Sequence, residues 1–218
     1  MNWKDTFKKN LDEFIINFDP NQPRDELGRW AKVGGSAPKD SSLKPVDTNS
    51  KEFKDWFGDS KVIDDDGDPL RVYHGTNKEF QEFSERFIKS EGGFCFTDSP
   101  AVAHNYAQSA GKTKIDEKGK MYTEGANVIP VYLSIENPYV VDFGGGWKER
   151  SFVREVEFAK REGYDGVVIK NIKDVDYYTE FFPESDIFIT FKPTQIKSAI
   201  SNMGKFSKDD PNITNVNG

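Results

Sequence analysis

Two histidines occur among the 218 residues, and one of them is placed where chemistry is possible. His74 follows a short alternating apolar run (Leu70, Val72) and stands directly before Gly75 and Thr76. An imidazole offers two distinct ring nitrogens, and a glycine lets a ligand approach the backbone N–H and C=O because nothing projects from its Cα. A second short run, Phe94-Cys95-Phe96-Thr97, leads into Asp98-Ser99-Pro100. That is a helix start: a side chain that caps free backbone donors, then a proline where a missing N–H costs nothing. The helix is rich in small residues (Ala101, Ala103, Ala107, Ala110) and stops at Gly111. Tyr106 falls one turn after Val102 and is expected on the side packed against the strands. Two strand ends and one helix face therefore converge a histidine, a glycine backbone and an aromatic ring on one pocket.

Other arrangements of reactive residues fail on spacing. Cys95 is the single cysteine; no internal disulfide is possible, and one Cys with two His does not build a structural zinc site. No cluster of positive charge surrounds it, so it reads as a small strand residue and not a reactive thiol. Asp64-Asp65-Asp66-Gly67-Asp68 carries consecutive acids with no glutamate closing a twelve-residue loop, so a turn is expected in place of a calcium site. Gly144-Gly145-Gly146 would need a glycine at position 149, which is Glu149, and no Gly-Lys-Ser/Thr follows. Both phosphate-cradling patterns are thus excluded, leaving a turn.

The elements that must position the pocket read as follows. Residues 3–18 repeat Trp3, Phe7, Leu11 and Ile15 at helical spacing and form an amphipathic arm. Residues 19–50, with four prolines and Gly34-Gly35-Ser36, form a flexible linker. Ser50 caps a short helix bearing Phe53, Trp56 and Phe57, stopped at Gly58. Lys61–Ile63 and Leu70–Tyr73 flank an Asp-Gly turn as a hairpin. Residues 78–90 read as a helix or a compact loop over the pocket, and residues 111–127 as a mobile polar loop. Val128–Ile135 and Tyr139–Asp142 are strands, followed by a helix capped at Ser151 with Phe152, Val156 and Ala159 inward. Gly166–Ile169 is a buried strand, and Ile187, Ile189 and Phe191 alternate in the last one. Residues 200–218 are expected to be loosely held.

Composition sets outer bounds. Net charge is −7 and charged residues make up 31%, which argues against a nucleic-acid-binding stripe. Aromatics reach 14%, including 18 Phe, as suits a small core built on phenylalanine. No run of 18 apolar residues occurs, so no membrane span is expected, and the first residues lack the apolar segment of a signal peptide.

Taken together, Tyr73-His74-Gly75-Thr76, then Gly93 with Phe96-Thr97-Asp98, then Tyr106, resemble the NAD-binding half of ADP-ribosyltransferases. The pattern looks most like the diphtheria-toxin and poly(ADP-ribose) polymerase branch, and resembles a compact version found in phage and other mobile-element polyvalent proteins. That version ends in Gln-Ile-Lys-Ser-Ala, which Gln195–Ala199 match residue for residue. The resemblance spans about residues 52–212 and implies an α+β fold: a split, mostly antiparallel sheet of six to eight strands with flanking helices. The domain is expected at 51–212, with a tail at 213–218.

The resemblance also implies site roles. His74 is expected to hold a ribose hydroxyl, and Gly75 and Thr76 the nicotinamide amide. Phe94, Cys95, Phe96 and Gln195 are expected around the bound NAD, and Tyr106 stacks on its cationic ring. Cys95 stands where the family has its first tyrosine. Ile187, eight residues before Gln195, stands where relatives carry the catalytic glutamate. Asp186 is the leading replacement and Glu184 the second. The aromatic segment between Asn171 and Ser185 falls where the resemblance sets target recognition.

The activity so implied is NAD-dependent ADP-ribosylation of a host protein or nucleic acid by a phage or mobile-element effector. NAD is the substrate, the host cytoplasm the site of action, and the N-terminal arm a candidate for virion attachment. Two alternatives stay open: an NAD glycohydrolase, and a degenerate nucleotide-binding or virion-associated module.

Overall fold

The apolar runs become strands, and the strands become one sheet. The computed structural model describes residues 46–78, 80–88, 91–115, 121–123, 125–148, 151–174, 184–200, 202 and 206–214. The N-terminal arm (1–18), nearly all of the linker and most of the aromatic segment between Asn171 and Ser185 lie outside these residues. Nine strands are present among the described residues: β1 (Val72–Thr76), β2 (Phe94–Thr97), β3 (Thr113–Ile115), β4 (Met121–Thr123), β5 (Asn127–Leu133), β6 (Pro138–Asp142), β7 (Gly166–Ile172), β8 (Ser185–Thr190) and β9 (Ile196–Ser198). Three helices accompany them: α1 (Lys51–Phe57), α2 (Pro100–Ser109) and α3 (Val153–Arg161). Seven strands form one sheet in the order β6-β7-β8-β2-β1-β5-β9. All neighbours are antiparallel except β6 and β7, whose crossover contains α3. The fold is α+β, as the sequence predicts.

The sheet is cut in its middle. β2 pairs with β8 over four residues and β1 with β5 over five, but β1 meets β2 only at Tyr73↔Thr97. Beyond that pair the two strands diverge, and His74, Gly75 and Thr76 have no ladder partner on β2.

Alternation along the strands divides the apolar residues between two faces. Val72, Phe94, Val131, Leu133, Val168 and Phe188 form one cluster with Phe83 and Ile213. Val167, Ile169, Ile187 and Ile189 form the other, under Val156 and Ala159 of α3 and Phe152 just before it. α1 is too short to persist alone. It is held by burying Phe53, Trp56 and Phe57 against Tyr132, Ala199 and Ile200, each large side chain contributing roughly 1.5–3 kcal/mol.

Several local expectations give way. Residues 61–69 make a single bridge, Ile63↔Pro69, around a turn in which Asp64 accepts from the Asp66 and Asp68 N–H groups. The polar loop at 111–127 contains the β3–β4 ribbon. Of the helix or compact loop expected over residues 78–90, the described residues 80–88 form the loop, with one 3-10 turn at Glu85–Phe87. α3 starts at Val153 without a side-chain cap, so Ser151 does not cap it. The C-terminal segment is anchored through Thr214. Ile213 is 2% exposed, and the Ser198 N–H donates to its carbonyl. Fully buried Lys197 donates from Nζ to the carbonyls of Asp210 and Asn212 at 2.6 and 2.7 Å. Packing therefore continues past the expected boundary at residue 212.

Candidate active site

The diverging strands leave a cleft lined by Tyr73, His74, Gly75, Glu91, Cys95, Phe96, Thr97, Ala103, Tyr106, Lys148, Asp174 and Ile187. His74 sits at the point of divergence. Its Nδ1 lies 2.9 Å from the carbonyl oxygen of Cys95, replacing the absent ladder bond with a side-chain bond. A carbonyl only accepts, so Nδ1 carries the proton and Nε2 keeps a lone pair in the neutral ring. Phe83 packs edge-on at 5.0 Å and Phe96 at 5.5 Å between ring centroids. Burial pushes the His74 pKa down, against the opposing effect of the Cys95 carbonyl. The imidazole is thus neutral and fixed in one tautomer.

Gly75 makes the second wall possible. A Cβ there would lie 1.8 Å from the Ala103 carbonyl oxygen and 2.9 Å from the Ala107 nitrogen. Glycine on β1 and alanines on α2 bring helix and strand backbones together, and Ala103 and Ala107 are buried to 1% or less. Ser99 accepts from the Val102 N–H and starts the helix. Tyr106, one turn beyond Val102, reaches the cleft rim and does not pack into the strands: it is 41% exposed. Its hydroxyl lies deeper, donating to Asp174 Oδ1 at 2.7 Å.

A charged cluster surrounds that hydroxyl. Lys148 Nζ lies 3.2 Å from the Tyr106 oxygen, 3.3 Å from Asp174 and 3.5 Å from Glu91, and 4.5 Å above the centre of the Phe152 ring. Burial disfavours its charge, but Tyr106, Asp174 and Glu91 outweigh that and raise its pKa. Glu91 also accepts the Phe152 N–H at 2.6 Å.

The cluster is built by two backbone irregularities. β7 shifts register between Ile169 and Ile172, with Asn171 at φ 53°. Such a bulge re-aims the strand end. The glycine turn, with Gly144 and Gly145 at positive φ, then runs beside it. Gly145 N–H donates to Asn171 O, Lys173 N–H to Gly146 O, and Lys148 N–H to Lys173 O. Lys148 and Asp174 are thereby set side by side.

Of the residues singled out in the sequence, the structure brings His74, Gly75, Cys95, Phe96 and Tyr106 to the cleft. It does not bring Thr76, Phe94, Glu184, Asp186 or Gln195. Phe94, on the same strand face as Phe96, is buried in the core and does not line the cleft. Thr76 is 8% exposed and accepts the Lys78 N–H. Gln195 spends its whole amide on the backbone: Oε1 accepts from Phe191 and Lys192, and Nε2 donates to Ser134 and Asp165 carbonyls. Glu184 is exposed and faces Lys173 at 3.9 Å. Ile187 enters the cleft, so its neighbour Asp186 points away, and its Oδ1 accepts the Asn171 N–H at 2.9 Å. Burial pushes the Cys95 thiol up to about 12, leaving it un-ionised at neutral pH. Asp98 accepts the Asp186 N–H at 3.0 Å and ties the start of β8 to the end of β2.

The family described as ADP-ribosyltransferase in polyvalent proteins matches residues 64–206. The chain belongs to this family. The match covers β1 through β9 and thus every wall of the cleft, so this is the cleft of an ADP-ribosyltransferase domain. No curated protein matches the chain. Sequence reading missed Glu91, Lys148 and Asp174 in this domain. The glycine turn before Lys148 was the one available signal; the bulge that turns Asp174 inward has no residue pattern of its own.

Proposed function

We propose that the cleft binds NAD by its nicotinamide-ribose end and passes the ADP-ribose to a macromolecular acceptor of a host cell, as a phage or mobile-element effector would. The observation that carries this reading is the pairing of two walls across the split sheet: a neutral imidazole whose Nε2 lone pair has no partner among the described residues, and the Tyr106 ring on α2. A ribose hydroxyl donating to Nε2 adds about 0.5–1.5 kcal/mol, and a cationic nicotinamide against the Tyr106 ring about 0.5–2 kcal/mol. The unpaired backbone edge at Gly75 suits a planar carboxamide, which both donates and accepts.

In the reaction the bond between ribose C1′ and the nicotinamide nitrogen breaks. Its electron pair goes to nicotinamide, which leaves neutral, and the ribose acquires oxocarbenium character. The acceptor's nucleophile then bonds to C1′ and loses its proton to solvent. The resemblance to glycoside cleavage is close, and the demand on the protein is the same: hold the sugar and stabilise positive charge.

The test is incubation of the full chain with NAD labelled in the adenylate, with and without bacterial lysate, beside His74→Ala. Label in macromolecules, lost in the variant, supports the transferase. Nicotinamide release without macromolecular label replaces it with a glycohydrolase. NAD bound but intact under both conditions removes the enzymatic reading and leaves a nucleotide-binding module.

A further inference from the structure

If the cleft cleaves NAD, the developing positive charge on the ribose needs a carboxylate nearby, and β8 does not provide one. Ile187 occupies the inward position, and Asp186 faces away with its carboxylate on the Asn171 N–H. Two carboxylates do line the cleft, Glu91 and Asp174, and their contacts differ. Glu91 has both oxygens engaged, Oε2 by the Phe152 N–H and Oε1 by Lys148, and its side chain is 20% exposed. Asp174 is 4% exposed, and both of its contacts, from Tyr106 and Lys148, fall on Oδ1. Oδ2 has no protein partner among the described residues.

We propose that Asp174 is the charge-stabilising carboxylate of this cleft, and that Asp186 is a positioning residue that holds the β7 bulge aiming it. This rests on the NAD-cleaving reading above. The geometry is a relay through backbone. Asp98 fixes Asp186 by bonds to both its N–H and its carbonyl, at 3.0 and 3.3 Å. Asp186 Oδ1 then holds the N–H of Asn171, the residue at positive φ in the bulge. Asn171 O accepts the Gly145 N–H, and the glycine turn is zipped along Lys173 to bring Lys148 against Asp174.

Charge balance points the same way. Two carboxylates share one ammonium, so the cluster keeps a net negative charge toward a ligand whose positive charge passes from the nicotinamide ring to the ribose as the bond breaks. A charge so shielded from solvent acts more strongly than an exposed one. Tyr106 joins the two functions, since the ring that faces the nicotinamide is oriented by the hydroxyl that holds Asp174. Asp174 forms no covalent bond in the step. It opposes the positive charge while the C1′–N pair moves to nicotinamide.

The experiment measures nicotinamide release, and NAD binding by calorimetry, for the wild-type chain, Asp174→Asn, Glu91→Gln, Asp186→Ala and Asp186→Asn. Asn at 174 still accepts from the Tyr106 hydroxyl, so the fold is retained, and unchanged thermal unfolding checks this. Expected for Asp174→Asn is a kcat lower by about 100-fold or more, with NAD affinity within about threefold. Glu91→Gln loses less than about fivefold. Asp186→Ala lowers kcat, and Asp186→Asn, which keeps an oxygen for the Asn171 N–H, restores it. Wild-type turnover that survives Asp174→Asn, or that is lost instead in Glu91→Gln, overturns the assignment alone. Equal effects of Ala and Asn at 186 overturn the positioning role. A wild-type chain inert toward NAD overturns the parent reading and this one with it.

Discussion

The Nδ1 atom of His74 and the carbonyl oxygen of Cys95 lie 2.9 Å apart, where a strand ladder would otherwise have continued. One side-chain bond thus marks the opening of the sheet and sets the tautomer of the cleft histidine. Alanine at 74 removes both the bond and the Nε2 acceptor. We expect His74→Ala to lower kcat/KM for NAD by about tenfold or more, the worth of one to two hydrogen bonds.

The same residue gives the pH dependence a sign. Burial holds the His74 pKa below 6.5 in the folded chain. Above pH 6.5 it is neutral in both folded and unfolded states and the reaction is insensitive to it. As pH falls below 6.5 the unfolded chain binds the proton first, so stability declines until the folded pKa is passed. Protonation also turns Nε2 from acceptor to donor. An acid limb in kcat/KM below pH 6.5, absent from the residual activity of His74→Gln, is the expected profile.

Asp98 titrates with the opposite sign. Burial raises its pKa from 3.8 to about 6, with the Asp186 carboxylate adding to the shift against the Asp186 N–H. A folded-state value above the unfolded one gives stability present below pH 3.8 and lost as pH rises through 6. Asp98→Asn keeps an oxygen for the Asp186 N–H and removes the buried charge. It should unfold at a higher temperature than wild type at pH 7.5, with the difference shrinking toward pH 4.

Gly75→Ala should fail for packing and not for binding. The new methyl would meet backbone atoms of Ala103 and Ala107, which cannot rotate away as a side chain would. The cost is expected to be about 3 kcal/mol or more, read as loss of soluble folded protein or a steep fall in denaturation midpoint.

Gln195→Ala separates structure from site. Four backbone groups lose their partner, two N–H and two C=O, at an expected cost of about 2–4 kcal/mol in unfolding experiments. Its NAD affinity should stay within about twofold of wild type, since the amide does not reach the cleft.

These residues also show what could be seen from the chain alone. The strands and helices that carry His74, Tyr106 and Phe152 were visible because apolar period, caps and glycines are local signals. The match of Gln195–Ala199 to a family motif marked that stretch, but neither that Ile196–Ser198 form a strand of their own beyond the one read as last, nor why a glutamine or a lysine stands there. Gln195 ties three backbone segments together, and Lys197 anchors the C-terminal segment, both through contacts made only on folding. Asp186 was singled out because it neighbours the position of the family's glutamate. Strand alternation then decides which neighbour enters the cleft, and Ile187 does. Asp174 gave no signal, because its place depends on a register shift and a positive φ at Asn171, which no spacing rule encodes.

The most direct measurement is a crystal structure with an unreactive NAD analogue. The expected result is nicotinamide against the Tyr106 ring, a ribose hydroxyl within hydrogen-bond distance of His74 Nε2, and C1′ facing the Asp174 carboxylate. Analogue bound elsewhere, with the split between β1 and β2 left empty, would contradict it.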